Sequence, residues 1–302
     1  MAMSGDNPKV SVCLMTYNGA GTVERALTTL LAQTYRDYEL IISDDHSTDE
    51  TLAICQRVAA GHKHVRFIRP AHNLGAERNM KFALSQARGT YYVWACQDDY
   101  WEPAFLERLV GLLEQSPSAI CAQSWVRWIS EKGDDVEDLR LYGRDLPERQ
   151  SRIAFATSIL TRRGREDRPK IKNSIFTHGI WKRAAFSAAL EAHRRSIMSE
   201  RQILCQLALA GEFRYLDEPL FNKTYYDVEL YERRPATDTT VIEKARSSPL
   251  RELLGTLVAI ARSPIVELRT KIFALPILAC SYYRHRLRGK VLRRLTRALS
   301  AS

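Results

Sequence analysis

Asp98 and Asp99 are adjacent carboxylates that follow the run Tyr91-Tyr92-Val93-Trp94-Ala95-Cys96-Gln97 and precede Tyr100-Trp101. The run before them is apolar and of strand type. Two neighbouring carboxylates at the end of a buried strand repel each other and resist desolvation unless a cation offsets them. That cation is either a divalent metal or a basic side chain. A hard oxygen site that keeps open positions suits Mg2+ or Mn2+ carrying a substrate diphosphate. The alternative is an ordinary turn, since Asp is common after strands.

The surrounding pattern narrows the choice. Lys9 to Met15 reads as a strand that breaks at Thr16-Tyr17-Asn18-Gly19. Val23, Ala26, Leu27, Leu30 and Leu31 then recur at helical spacing. Tyr38 to Ser43 is a second strand, ending in Asp44-Asp45-His46-Ser47-Thr48-Asp49, and Leu52 to Ala60 a second helix, capped by Ser47 or Thr48. Val65 to Ile68 is a third strand. Asn73-Leu74-Gly75 opens a third helix, Tyr91 to Cys96 is the fourth strand and Phe105 to Leu113 the fourth helix. Strands alternating with helices at this spacing make a parallel sheet. Ligands of such sheets bind beyond the carboxyl ends of the strands. Thr16 to Asn18, Asp44 with Asp45, and Asp98 with Asp99 all fall there, and should face one crevice.

Beyond Ser116 the pattern loosens. Ala119 to Ile129 reads as one or two strands, Glu131 to Asp138 as an acidic loop and Thr161 to Lys172 as a charged, mobile segment. Ser174 to Trp181 returns toward the core. Ser199 to Ala210 is a buried helix closed by Gly211, and Phe213 to Leu216 a strand.

Taken together, VSVCLMTYN, YELIISDDHSTD, NLGAERN, ARGTYYVWACQDDYW, HGIWKR and SERQILCQLALAGEFRYLDEPL resemble the family 2 glycosyltransferases. The resemblance spans roughly residues 8–230, and it is the combination that is specific. It implies an α/β fold of the GT-A type: a Rossmann-like, mostly parallel central sheet flanked by helices. It also implies an inverting enzyme that takes a sugar from a UDP- or GDP-type donor with Mn2+ or Mg2+. By the same resemblance, Thr16, Tyr17 and Asn18 line the nucleotide, Asp45 accepts from the base ring with Asp44 beside it, and Arg78 contacts base or phosphate. Asp98 lies near the ribose, Asp99 is the metal ligand, and Glu200 takes the place of the catalytic base, more often Asp. Trp101, His178 and Trp181 are candidates for the acceptor site. Simpler roles compete: helix capping for Asp45 and Glu200, pairing with Glu77 for Arg78, packing for the aromatic residues and His178. The chain also departs from the family, which often has an earlier third acid where Cys96 or Gln97 stands here.

The chain has 302 residues, a formal charge of +10 and 45% hydrophobic residues, which suits one large α/β domain with an appendage. We place a glycosyltransferase domain over residues 1–235 and a basic, amphipathic helical extension over 236–302. Cys13, Cys55, Cys96, Cys121, Cys205 and Cys280 lack CxxC spacing and read as reduced thiols. Met1 to Pro8 has no apolar stretch, so no signal peptide is expected. The longest apolar run, Ile272 to Tyr283, is broken by Pro276 and too short to span a bilayer. The tail from Ser281 carries seven Lys and Arg residues and no acid, and Val291, Leu292, Leu295 and Leu299 fall near one helical face. That pattern fits a helix lying on an anionic membrane surface, or a lid or homo-oligomer element. The expected setting is cytoplasmic, peripheral on the inner face of the cell membrane, with a lipid-linked or oligosaccharide acceptor. A binding module without turnover is the competing function. A nucleic-acid partner has only the net charge behind it, with no helix-turn-helix signature. TYNGAG after the first strand is not the GxGxxG of a dinucleotide-binding enzyme.

Overall fold

The computed structural model describes residues 7–130, 136–139, 151–161, 178–192, 200–225 and 249–284. At its centre β1 (Val10–Thr16) runs parallel to β2 (Tyr38–Asp44) on one side and to β4 (Tyr91–Cys96) on the other. β3 (Val65–Ile68) extends the sheet beyond β2, also in parallel. Beyond β4 come β9 (Ile180–Lys182), antiparallel to both its neighbours, then β6 (Ala119–Gln123), then β10 (Glu212–Tyr215), parallel to β6. The order is β10-β6-β9-β4-β1-β2-β3. The chain leaves β1 toward β2 and β3, then crosses back to add β4 on the far side. β1 and β4 therefore flank the point where the winding reverses, where an open sheet forms a ligand crevice.

The sequence explains the layers. β2 is buried at every position, as a strand covered on both faces must be. α1 (Val23–Leu31) buries Val23, Ala26, Leu27 and Leu30, one face at helical spacing. α2 (Thr51–Val58) starts without a side-chain cap from Ser47 or Thr48; Asp49 Oδ1 accepts the Thr51 N–H at 3.0 Å instead. α3 (Ala76–Gln86) packs on β1 and β2, and α4 (Phe105–Glu114) on β6.

Glu39 ties the lower end of the sheet together. Its carboxylate accepts from Ser11 Oγ (2.7 Å), the Arg88 N–H (2.9 Å) and Arg66 Nη2 (2.8 Å). Burial would raise its pKa, but these donors outweigh it and hold it below the ordinary value.

A second, smaller sheet has the order β5-β11-β7-β8, from β5 (Tyr100–Trp101), β11 (Phe221–Tyr225), β7 (Val126–Ser130) and β8 (Val136–Leu139). β8 corrects the acidic loop expected from Glu131 to Asp138: its last residues pair with β7, register Arg127 opposite Asp138. The remaining helices are α5 (Arg152–Thr161), α6 (Arg183–Ala192), α7 (Glu200–Ala210), α8 (Pro249–Arg262) and α9 (Leu268–Tyr282). α8 packs on α6 and α7, and α9 on α5, so the described part of the extension rests against the sheet domain. The expected boundary near residue 235, most of the segment Thr161 to Lys172 and the helix over Val291 to Leu299 lie outside the described residues. The cysteines are free thiols.

Candidate active site

Three loops meet at the carboxyl ends of β1, β2 and β4. The first, Tyr17 to Gly21, is fastened to the second by a dense set of polar contacts. Asn18 takes a left-handed backbone (φ 44°), which is uncommon for a residue with a side chain. Its N–H donates to Ser47 Oγ (3.0 Å), and its side-chain oxygen accepts the Thr48 N–H (2.9 Å). The Gly19 N–H donates to Thr51 Oγ1 at 2.8 Å. His46 is also left-handed (φ 65°) and serves the turn, with Nδ1 3.4 Å from the Pro70 carbonyl.

Asp44 and Asp45 are both buried and take different partners. Asp44 accepts from Thr16 Oγ1 (3.1 Å) and the Ser47 N–H (3.1 Å), and pairs with Arg69 Nε at 3.3 Å. It joins β1 to the second loop. Asp45 accepts the N–H groups of Leu74 (2.7 Å) and Gly75 (2.9 Å) through separate oxygens. Gly75 stands at φ 79°, a conformation that only glycine adopts at little cost, and it starts α3. Asn73-Leu74-Gly75 is thus the partner of Asp45, and each Asp45 oxygen keeps a further lone pair. Arg78 is exposed one turn into α3, and Glu77 pairs with Lys81 (2.6 Å) rather than with Arg78.

The third loop holds the acidic pair. Gln97 clamps Tyr17: its side chain accepts the Tyr17 N–H and donates to the Tyr17 carbonyl, both at 2.9 Å. Cys96, Asp98 and Asp99 form a group whose potential ligand atoms lie within 4.8 Å of one another. The two carboxylates are not equivalent. Asp98 is half-buried, and among the described residues its carboxylate accepts no hydrogen bond. Asp99 is fully buried. It faces Lys223 Nζ at 3.2 and 3.4 Å and accepts the Thr224 N–H at 3.2 Å. Burial holds the Asp99 carboxyl above its ordinary value, up to about 7, with Lys223 opposing the rise. Burial would lower the Lys223 pKa, but Asp99, Asp98 and Cys96 outweigh it and keep the ammonium charged.

The donor set fits a hard divalent cation through Asp98, whose oxygens are accessible and otherwise uncommitted. Asp99, the residue expected to hold the metal, belongs to the same group, with its oxygens engaged by Lys223 and Thr224.

The second sheet supports this loop. Thr224 Oγ1 donates to the Asp98 carbonyl (2.5 Å) and accepts from Arg25 Nη2 (2.9 Å). Arg25 in turn lies over the Tyr100 ring at 4.3 Å. Of the acceptor candidates, Trp181 is fully buried against Phe186 and Phe213, and Trp101 is buried against Phe221. Both are core residues with no surface to offer a ligand. His178 stacks on Phe221 (4.5 Å, 19°), and its buried Nε2 has no hydrogen-bond partner among the described residues. Burial first, and Lys223 second, hold its pKa well below the ordinary value, so the ring is neutral. Glu200 is the first residue of α7; the placement of its side chain lies outside the described residues.

Sequence reasoning missed Gln97, Lys223, Thr224 and Arg69. Lys223 had a signal: a basic residue two places after Phe221 in a strand that pairs on both sides has to find a counter-charge. Gln97 and Arg69 had none beyond their neighbourhood.

A mostly parallel α/β sheet with an acidic turn at its switch point defines the GT-A class of fold. TarS of S. aureus, solved with UDP-GlcNAc, has this fold: TM-score 0.61 at 17% identity, over 91% of this chain and 73% of that one. The mannosyltransferase PcManGT of Pyrobaculum calidifontis, solved with GDP-Man and Mn2+, gives 0.50 at 18% identity, over 99% and 82%. The family model for glycosyl transferase family 2 matches residues 11–189, and the chain belongs to that family. Relatives include the putative glycosyltransferase EpsE of Bacillus subtilis, 36% identical over 109 residues, which are 36% of this chain and 39% of EpsE. The chondroitin synthase of Escherichia coli is 34% identical over 131 residues, 43% of this chain and 19% of that protein. The chain therefore matches well under half the length of these curated relatives.

Proposed function

We propose that this protein is an inverting glycosyltransferase. It moves a sugar from a nucleoside-diphosphate donor to a hydroxyl of a lipid-linked or oligosaccharide acceptor, in the building of surface glycans. The observation that carries the proposal is the group Cys96, Asp98 and Asp99 at the switch point of the sheet, within 4.8 Å of one another and beside the Tyr17–Asn18 loop. The nucleotide sugars held by the solved structures of this fold support a donor of the UDP or GDP type.

In this proposal the first loop and Asp45 hold the nucleoside. Asp98 presents the accessible carboxylate to Mn2+ or Mg2+, with Asp99 in the same group. A bound divalent ion supplies charge neutralisation for the departing diphosphate. Glu200 takes the proton of the acceptor hydroxyl as that oxygen attacks the anomeric carbon; the bond from that carbon to the diphosphate breaks from the opposite face. In the same reading Arg78, exposed in the first turn of α3, meets the base or a phosphate. His178, with a neutral ring and a buried, unpaired nitrogen, stays an acceptor-site candidate in this proposal.

The test is a panel of UDP- and GDP-sugars with Mn2+, scored for transfer to oligosaccharide and polyprenyl-linked acceptors. Product with an inverted anomeric centre supports the proposal; no turnover of any donor, with nucleotide still bound, favours the binding module.

A peripheral membrane position is the second part of this proposal. No helix among the described residues is long and apolar enough to cross a membrane. Leu250, Leu254 and Val258 recur along one side of α8 and are exposed, as are Leu268, Ile272 and Phe273 on α9. An exposed apolar face of this kind marks a docking surface. The acid-free basic stretch that follows α9 in the sequence favours anionic lipid.

A further inference from the structure

The acidic group at the switch point has a cation of its own. Lys223 Nζ reaches both oxygens of Asp99, at 3.2 and 3.4 Å. Asp99 belongs to the same 4.8 Å group as Cys96 and Asp98. The ammonium is therefore a neighbour of the whole group and not of one buried acid alone. It is delivered by the smaller sheet: β11 pairs with β7 at Lys223 itself, opposite Trp128, and with β5 at the two residues before it. Thr224 fixes it again by taking the Asp98 carbonyl and donating its N–H to Asp99.

Charge decides what this arrangement can do. Lys223 offsets the charge of Asp99, so Asp98 is the acid of the pair with no cation of its own among the described residues. An ammonium has three N–H donors, and the two Asp99 oxygens leave one unused. Some 15% of the Lys223 side chain remains exposed. A lysine on its flexible stem acts toward phosphate as a point charge.

We propose that Lys223 is a donor-binding residue whose ammonium contacts the diphosphate, so that nucleoside diphosphates bind this site without a divalent ion. This rests on the proposed donor class. It goes beyond it by giving the site two cations, one tethered and one exchangeable. The divalent ion then adds to a site that already tolerates the diphosphate. A lysine that only neutralised Asp99 would leave nucleotide affinity without metal the same as in a variant from which both charges are removed.

The experiment is calorimetric titration of UDP and GDP into the full chain, with Mn2+ and separately in EDTA. Wild type, Lys223→Arg, Lys223→Gln and the charge-free pair Asp99→Asn/Lys223→Met are compared. The double variant keeps a buried pair without an orphaned charge, and Asp99→Asn/Lys223→Gln serves if it fails to fold. We expect wild type and Lys223→Arg to bind in EDTA, and loss of the ammonium to weaken that binding by roughly tenfold or more. Wild type that binds with Mn2+ but not in EDTA overturns the role of Lys223 and leaves the donor class standing. So does EDTA binding that is equal in wild type and in the folded charge-free variant. No nucleotide binding under either condition overturns the donor class itself.

Discussion

The side-chain amide of Gln97 grips the backbone of Tyr17 from both directions, accepting its N–H and donating to its carbonyl, each at 2.9 Å. The loop after β1 is thereby locked to the loop after β4. A carboxylate at position 97 could accept but not donate. Gln97→Glu should therefore release the Tyr17 carbonyl and weaken nucleoside-diphosphate binding by about tenfold, with a loss of about 1 kcal/mol in stability. Calorimetry and urea unfolding read the two effects. Unchanged affinity would show that the Tyr17 loop does not shape the nucleotide pocket.

Gly75 offers a test of the Asp45 loop. A Cβ there would meet nothing within 4 Å, so any cost of Gly75→Ala comes from its φ of 79° and not from crowding. The expected loss is about 1–3 kcal/mol, read by chemical denaturation, together with weaker nucleotide binding as Leu74 and Gly75 shift their N–H groups off Asp45. A neutral substitution would mean that the turn re-forms without strain.

Glu39 makes a prediction about pH. Its folded pKa lies below the ordinary 4.5, because hydrogen bonds from Ser11, Arg88 and Arg66 outweigh burial. Its contribution to stability is therefore present above the unfolded value and lost as pH falls through the folded one. Wild type should lose urea stability below pH 4.5 more steeply than Glu39→Gln, which starts lower and stays flatter. Parallel pH profiles would contradict this.

For Glu200→Gln we expect transfer to fall by about 10²–10⁴-fold, with nucleotide affinity within about twofold of wild type. Wild-type turnover in this variant would place the base elsewhere.

The parallel strands and their helices were legible because β1, β2 and β4 are continuous apolar runs closed by polar turns, a pattern that local sequence carries. So was the placing of Asp44–Asp45 and of Asp98–Asp99 after the two strands that flank β1, which follows from strand-end topology. The inequality of Asp98 and Asp99 was not legible, because it is set by Lys223, 124 residues further along the chain. Trp181 read equally well as ligand-facing or core, and Trp101, an aromatic after a strand, more readily as core; the packing against Phe221, Phe186 and Phe213 puts both inside. β8 was hidden because its acidic residues are those of a loop, and only pairing with β7 makes it a strand.

The exposed face of α8 and α9 predicts that Leu254→Glu/Ile272→Glu weakens sedimentation with anionic liposomes by at least about tenfold while leaving soluble-acceptor turnover intact. Equal binding of wild type and variant, or equal binding to neutral and anionic vesicles, would remove the membrane from the proposal.

Calorimetric titration of UDP and GDP with and without Mn2+, in wild type and Asp98→Asn, tests the central claim most directly. The account predicts saturable binding of at least one nucleoside diphosphate to wild type, strengthened by Mn2+, with that strengthening lost in Asp98→Asn. Wild type that binds neither nucleotide, or an Mn2+ effect that survives in Asp98→Asn, would contradict it.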